Sequence, residues 1–172
     1  MPLTQSEMTQ QKIDLTRIEA QVNHCFDKAD AFFGVRFKRS HSSFKQRGKA
    51  AGTAHLYKNE LRFNHFMFEQ NPDAFLNTVV PHEVAHIIVF QIYAANAKPH
   101  GKEWQAVMKK VFGLLPDRTH TFDVPPLKKA YSYYCLCQTH EFSQRRHNRV
   151  LKGVEYRCKK CASPLTRIEK HK

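Results

Sequence analysis

Two histidines and a glutamate stand at a spacing that suits metal-dependent hydrolysis. They form an H-E-x-x-H motif, His82-Glu83-Val84-Ala85-His86. On a helix, residues four apart lie one above the other, so both imidazoles can reach one zinc ion. Glu83 follows the first ligand and can reach a zinc-activated water without binding the metal, as a general base must. The motif therefore predicts a zinc-dependent enzyme that hydrolyses peptide bonds.

A catalytic zinc usually has a third protein ligand, and two side chains shortly after the motif qualify. His100 precedes Gly101, and a glycine permits the sharp turn that would bring the imidazole back to the metal. Glu103 is the other candidate, although a carboxylate there also suits the first turn of a helix. Spacing alone leaves both open.

A second group of metal-ligand side chains lies near the C-terminus. Cys158 and Cys161 form a C-x-x-C knuckle, a spacing at which two thiolates hold one tetrahedral zinc. Cys137 and His140 repeat the two-residue gap, so the preferred ligand set is Cys137, His140, Cys158 and Cys161. Cys135 is the alternative to His140. Such a zinc has every position filled, and it would fold this segment without catalysing a reaction.

The formal charge of +13 is concentrated in the second half of the chain. Residues 1–97 carry 11 basic and 9 acidic side chains, whereas residues 98–172 carry 17 and 6. A basic surface attracts polyanions, so nucleic acid is the partner to test. The simpler alternative is a solubilising surface. The candidate contacts near the cysteines are Arg145, Arg146, Arg149, Lys159 and Lys160.

The periodicity of the N-terminal half predicts a helix and then short strands. Apolar residues at mostly helical spacing predict an amphipathic helix over residues 5–31, in which Cys25 is a small buried side chain. Short apolar runs predict strands at 35–37 and 53–57. A tight turn at Lys58-Asn59 would make residues 53–63 a hairpin.

The motif itself falls in a predicted core helix. Asn71-Pro72 supplies a start signal, and apolar residues continue to Ile92. Pro81 lacks a backbone donor and could divide this helix into two. A further amphipathic helix is expected over residues 104–112, ending at Gly113.

These elements predict an α+β protein with a small appendage. We expect a compact zincin-like metallopeptidase core over residues 1–122, with helices packed on a small antiparallel sheet. Residues 123–130, which contain Pro125-Pro126, read as a linker. Residues 131–172 are expected to form a small β zinc-ribbon module with strands at 131–137 and 154–158.

The cellular location predicted from composition is the cytoplasm. The first residues have neither a basic region nor an apolar stretch typical of a secretory signal. No uninterrupted apolar run approaches the roughly 18 residues of a spanning helix, so no membrane partner is expected.

His120 is a candidate substrate contact, although a lone histidine is more often structural.

Three runs together resemble the SprT family of zinc metallopeptidases. They are VVPHEVAHIIVF, PHGKEWQAVMKKVFG and a cysteine module containing QRRHNRV and YRCKKC, and the resemblance extends from about residue 35 to the end. It implies His82, His86 and His100 as zinc ligands and Glu83 as the base, which favours His100 over Glu103. Eukaryotic members of the family cleave proteins crosslinked to DNA, which suits the basic C-terminal half.

The sequence therefore predicts a zinc endopeptidase with one catalytic and one structural zinc. The expected partners are a protein substrate and DNA or DNA-bound proteins. The alternative is a nucleic-acid-binding regulatory protein whose zincin core is weakly active or serves as a scaffold. Glu83 favours the enzyme, because a binding protein has no need of a carboxylate beside an open metal position.

Overall fold

A 29-residue helix, α1 (Gln5–Phe33), begins the part of the chain that the computed structural model describes, namely residues 4–117, 122–123 and 130–168. A capping box starts it, in which Thr4 Oγ1 accepts from the Glu7 amide and Glu7 accepts from the Thr4 amide. Gly34, at a φ of 67°, ends it. Its buried face includes Cys25, which is only 2% exposed, as predicted.

The first sheet has three strands, β1 (His41–Ser43), β2 (Gly52–His55) and β3 (Glu60–Phe63), in the order β1-β3-β2. Strands β2 and β3 are antiparallel, which confirms the predicted hairpin, whereas β1 runs parallel to β3. The sheet is therefore mixed, and the expectation of a purely antiparallel sheet was wrong. A 3-10 turn (Leu56–Lys58) and Asn59, at a φ of 49°, connect the hairpin strands.

The strand predicted at residues 35–37 is absent, because other groups take the hydrogen bonds that a sheet would need. The Phe37 amide donates to the Asp30 carboxylate at 2.9 Å. The Lys38 amide donates to the Gln91 side-chain oxygen, also at 2.9 Å. This segment therefore ties the end of α1 to the long helix of the core.

Helices supply most of the first core. After α2 (His65–Gln70), α3 (Pro72–Tyr93) runs for 22 residues, with the Asn71 side chain accepting from the Ala74 amide at its start. Pro81 lies inside α3 without dividing it. Helix α4 (Lys102–Ala106) continues into a π-helical turn (Val107–Val111), and Gly113 follows at a φ of 68°. Among the largest fully buried side chains are Trp104, Phe26, Phe63, Phe68, Phe75, Ile87 and Ile88.

Helix α3 also meets the length and hydropathy expected of a membrane span. Within the described residues, Pro72–Asn96 has a mean hydropathy of 1.2 over its most apolar window, and 56% of that window is buried inside the protein. The core helix of a soluble protein has the same properties. Burial of Val80, Val84 and Ile88 accounts for the apolar character of α3.

The chain divides into two compact units, Met1–Pro125 and Pro126–Lys172. The second unit has an antiparallel sheet of β4 (Ala130–Tyr134), β5 (Thr139–Ser143) and β6 (Thr166–Arg167), in the order β5-β4-β6. It also contains helix α5 (Gln144–Leu151), which sequence reasoning did not anticipate. The strand predicted at 154–158 was wrong, because that segment makes a single bridge, between Arg157 and Pro164. The architecture is α+β, as predicted.

Two expectations concern residues outside the described part of the chain. Residues 124–129 make up most of the expected linker, and His120 was considered as a substrate contact.

Candidate metal centre

Helix α3 presents the H-E-x-x-H motif from a rigid position in the core. Val80, Val84 and Ile87 around the motif are each at most 1% exposed, so packing fixes the rotation of the helix. The opposite side of this part of the helix carries His82 and His86, both half-buried. The i, i+4 spacing thus places both imidazoles on one face.

His100 reaches this face from a tight turn between α3 and α4. The Gly101 amide donates to the Lys98 carbonyl oxygen at 2.9 Å, which closes the turn. His100 itself has the left-handed conformation, with a φ of 55°, whereas Gly101 is extended. The sharp bend expected at Gly101 therefore lies one residue earlier. The Gln105 side chain donates to the His100 carbonyl oxygen at 3.1 Å, which ties the turn to α4.

The three histidines converge through the same ring atom. His100 Nε2 lies 3.0 Å from His82 Nε2 and 3.2 Å from His86 Nε2, and all three ligand atoms lie within 4.8 Å of one another. Two nitrogens bound tetrahedrally to one zinc at the usual Zn–N length would be about 3.3 Å apart. The donor atoms and their separations therefore fit a metal ion of this kind. Glu103 is in the first turn of α4 and does not belong to this group.

Trp104 packs against the rings of all three histidines. It is fully buried, and its ring centroid lies 4.8 Å from that of His82, 5.5 Å from that of His86 and 4.6 Å from that of His100. Burial, followed by the neighbouring His82 and His100, lowers the pKa of His86 to about 3. This imidazole is therefore neutral at physiological pH, the form that binds a metal.

Glu83 points away from the solvent, between α3 and strand β2. It is 7% exposed, and burial raises the pKa of its carboxyl to about 8. A hydrogen bond from the Ala54 backbone amide in β2 partly opposes this shift. A cation bound by the adjacent candidate ligand His82 would oppose the effect of burial and favour the carboxylate, the form that can accept a proton.

The second unit brings Cys135, Cys137, Cys158 and Cys161 together, with all four sulfurs within 4.8 Å of one another. The Cys135 and Cys137 sulfurs are 3.5 Å apart, and those of Cys137 and Cys158 are 3.8 Å apart. Sulfurs bound tetrahedrally to one zinc would be about 3.8 Å apart at the usual Zn–S length. The Lys160 amide donates to Cys158 Sγ at 3.4 Å. This arrangement also fits a metal ion.

His140, in the ligand set preferred from spacing, lies beside this cluster. Its Nε2 atom is 3.2 Å from Cys135 Sγ. The converging ligand atoms belong to the four cysteines, which include Cys135, the predicted alternative to His140.

Cys137 and Cys161 differ in acidity. Hydrogen bonds from the Ser163 hydroxyl and amide lower the pKa of Cys161 to about 6. The pKa of Cys137 is raised, because its thiol hydrogen-bonds to neighbouring sulfurs, chiefly that of Cys135. Groups this close titrate together. At least one thiolate is therefore available near neutral pH to begin binding a metal.

The basic candidates occupy two places in the second unit. Lys159 and Lys160 are exposed in the turn of the C-x-x-C knuckle, and the three arginines are on α5. Arg146 has the closest aromatic contacts, with its guanidinium 3.9 Å from the ring centroid of Phe142 and 4.8 Å from that of Tyr156, whereas Arg149 lies 6.0 Å from Tyr156. Arg145 and Arg149 are exposed on the helix.

Sequence reasoning missed Trp104, Ala54 and helix α5 as parts of these sites. Trp104 is the one tryptophan in the chain and follows His100 by four residues, a signal that could have been used. The approach of Ala54 to Glu83 is a long-range contact with no local signal.

A core helix carrying H-E-x-x-H, a third histidine from the next turn and a separate four-cysteine cluster define a protein with two candidate metal sites. Residues 22–120 match the SprT-like family, and the chain belongs to that family. It is similar to the Protein SprT of Shewanella oneidensis, with 46% identity over 152 residues that cover 87% of this chain and 97% of the relative.

Other relatives share the name Protein SprT. The Protein SprT of Vibrio parahaemolyticus is 46% identical over 82% of this chain and 86% of its own length. The Protein SprT of Pseudomonas syringae pv. syringae is 42% identical over 87% of this chain and 93% of its own length. A comparison with solved structures finds no match.

Proposed function

We propose that this protein is a zinc-dependent endopeptidase with a zincin-like core. The observation that carries the proposal is the convergence of three histidine Nε2 atoms, two of them from the helix on which Glu83 follows His82. Three histidine ligands leave the fourth position of a tetrahedral zinc open, as catalytic sites require. A purely structural site would have a fourth protein ligand.

In this proposal, His82, His86 and His100 hold the zinc through Nε2. The metal would supply Lewis acidity, which polarises the scissile carbonyl and makes a water acidic. The Glu83 carboxylate accepts a proton from the attacking water and then delivers it to the leaving amine nitrogen. The Ala54 amide holds this carboxylate, and Trp104 fixes the rings of the ligands.

For the second unit we propose a structural zinc bound by Cys135, Cys137, Cys158 and Cys161. The geometric fit of the four sulfurs supports this set over the one that includes His140. Four thiolates leave no open position, so the ion would stabilise a small unit without catalysing a reaction.

We further propose that the second unit recruits the enzyme to nucleic acid or to proteins bound to it. Arg145, Asn148 and Arg149 lie at i, i+3 and i+4 and so share one side of α5, Lys152 follows at the end of the helix, and all four are exposed. His147 is buried on another side, where its Nδ1 lies 2.9 Å from the Tyr133 hydroxyl. Three cations and an amide donor suit phosphate contacts. The proposed location is the cytoplasm.

The test compares Glu83→Gln with the wild type in a protease assay on labelled casein, with and without duplex DNA. The amide cannot accept the proton, so we expect cleavage to fall by about 100-fold or more while the zinc content stays unchanged. Glu69→Gln, the same change at an exposed carboxylate on α2, should retain activity.

Equal cleavage by the wild type and Glu83→Gln would refute the role of Glu83. If zinc-loaded wild type cleaves nothing but binds DNA, the protein is instead a nucleic-acid-binding regulator with a scaffold core. Stimulation of cleavage by DNA, lost on substitution of the α5 arginines, would support recruitment.

A further inference from the structure

Gly52, the first residue of β2, lies directly against the side chain of Glu83. A Cβ atom built on Gly52 would be 2.7 Å from Glu83 Cγ, 2.9 Å from Oε1 and 3.1 Å from Cδ. Carbon atoms in favourable contact are about 3.5–4.0 Å apart. Any other amino acid at this position would therefore have to displace the glutamate or the strand.

The backbone conformation does not explain a glycine here. Gly34, Gly48, Gly113 and Gly153 have positive φ values and no neighbouring atom within 4 Å of an added Cβ. At these four positions the backbone angle favours glycine. Gly52 is not among the positive-φ residues, and it pairs in regular antiparallel register with Phe63. The requirement at Gly52 comes from the space that Glu83 occupies.

Strand β2 therefore constrains Glu83 twice. Gly52 lets the strand approach the carbon atoms of the side chain, and two residues further on the Ala54 amide donates to the carboxylate. A methyl group on Gly52 would push the side chain away from the strand and weaken the hydrogen bond to Ala54. The carboxylate would then leave the position that it has between α3 and β2.

We propose that Gly52 is a positioning residue for Glu83, whose missing side chain sets where the carboxylate lies relative to the three histidines. This inference rests on the proposed peptidase function for its catalytic consequence. The steric contact itself can be tested without any activity measurement.

The contact is tested by a double-mutant cycle on thermal unfolding of the zinc-loaded protein, with Gly52→Ala made in the wild type and in Glu83→Ala. Alanine restricts the unfolded chain more than glycine does, so a clash-free Gly52→Ala should not lower the melting temperature. We expect Gly52→Ala to lower it in the wild type and to leave it unchanged or raised in Glu83→Ala. Equal shifts in both backgrounds would overturn the contact.

The catalytic consequence is tested by steady-state kinetics on the same protease substrate. We expect Gly52→Ala to lower kcat by about 10-fold to 100-fold, with KM little changed and zinc content equal to that of the wild type. Thr53→Ala, the neighbouring position in β2, is the matched control and should retain kcat. Undiminished kcat in Gly52→Ala would overturn the proposal.

Two further outcomes are distinguishable. If the wild type shows no proteolysis but the cycle shows coupling, the peptidase function fails while the contact stands. If Gly52→Ala does not fold, the double variant with Glu83→Ala should fold, because it removes the atoms that clash. If neither variant folds, strand β2 needs glycine at this position for a reason other than the side chain of Glu83, and the proposal is overturned.

Discussion

The indole Nε1 of Trp104 donates a 3.2 Å hydrogen bond to the carbonyl oxygen of His82. The side chain that backs the three histidines is thus bound to the helix that carries two of them. Trp104 thereby links α4 to α3 at the candidate metal site. Its replacement by Phe or by Ala tests the hydrogen bond and the packing separately.

For Trp104 we expect a graded loss of stability. Trp104→Phe keeps an aromatic ring and loses one hydrogen bond, so the free energy of unfolding should fall by about 1 kcal/mol. Trp104→Ala leaves a cavity and should cost about 3–5 kcal/mol. Urea unfolding of the metal-free protein measures both. In metal-competition titrations, Trp104→Ala should also weaken zinc binding by about 10-fold or more. Unchanged zinc affinity would show that the histidines hold their positions without this ring.

For the cysteines we expect reactivity to follow metal occupancy. Zinc-loaded protein should react slowly with a thiol reagent such as DTNB at neutral pH, and chelation should expose the four cluster thiols. Cys25 should stay unreactive until the protein unfolds, because burial raises its pKa to about 12. Absorbance at the thionitrobenzoate band counts the thiols. Cys25→Ser is the control, and a fifth rapidly reacting thiol in the native wild type would contradict the burial of Cys25.

For α5 we expect two adjacent arginines to have different roles. Arg145→Ala should weaken DNA binding and lower the slope of log affinity against log salt by about 1. Arg146 is positioned over Phe142 and Tyr156, so Arg146→Ala should lower the melting temperature more than Arg145→Ala does. Fluorescence anisotropy at several salt concentrations and thermal unfolding measure these effects. Indistinguishable variants would contradict the division of roles.

For the first sheet we expect stability to fall in acid. A hydrogen bond from Arg62, at 2.8 Å, is the largest cause that lowers the pKa of Glu60 from its ordinary 4.5 to about 2. A depressed folded-state pKa stabilises the protein above pH 4.5, and this contribution is lost as the pH falls towards 2. Glu60→Gln should be less stable than the wild type at pH 7, and the difference should shrink over that window. Urea unfolding at each pH measures it, and a constant difference would show that Glu60 does not titrate as described.

Local sequence patterns were sufficient to predict elements whose formation depends on residues close together in the chain. The i, i+4 spacing of His82 and His86 is a property of any helix, and the apolar periodicity around them is enough to predict α3. The same holds for α1 and for the β2–β3 hairpin, whose burial pattern and turn residues are adjacent in the chain. Family membership likewise followed from motifs that can be read directly.

Tertiary contacts decided what the local patterns left open. Pro81 stays inside a continuous helix, where it is buried together with Val80 and Val84 in the core. Residues 35–37 form no strand, because the Asp30 carboxylate accepts from the Phe37 amide and the Gln91 side chain binds the backbone of Lys38, the next residue. The contact of β2 with Glu83 and the packing of Trp104 on the histidines join residues that are distant in sequence. The convergence of Cys135 with the other three cysteines likewise joins residues from different turns. The sequence by itself determined which side chains can do chemistry, whereas the packing of separate elements decided which of them meet, because no local periodicity encodes a distance between two elements.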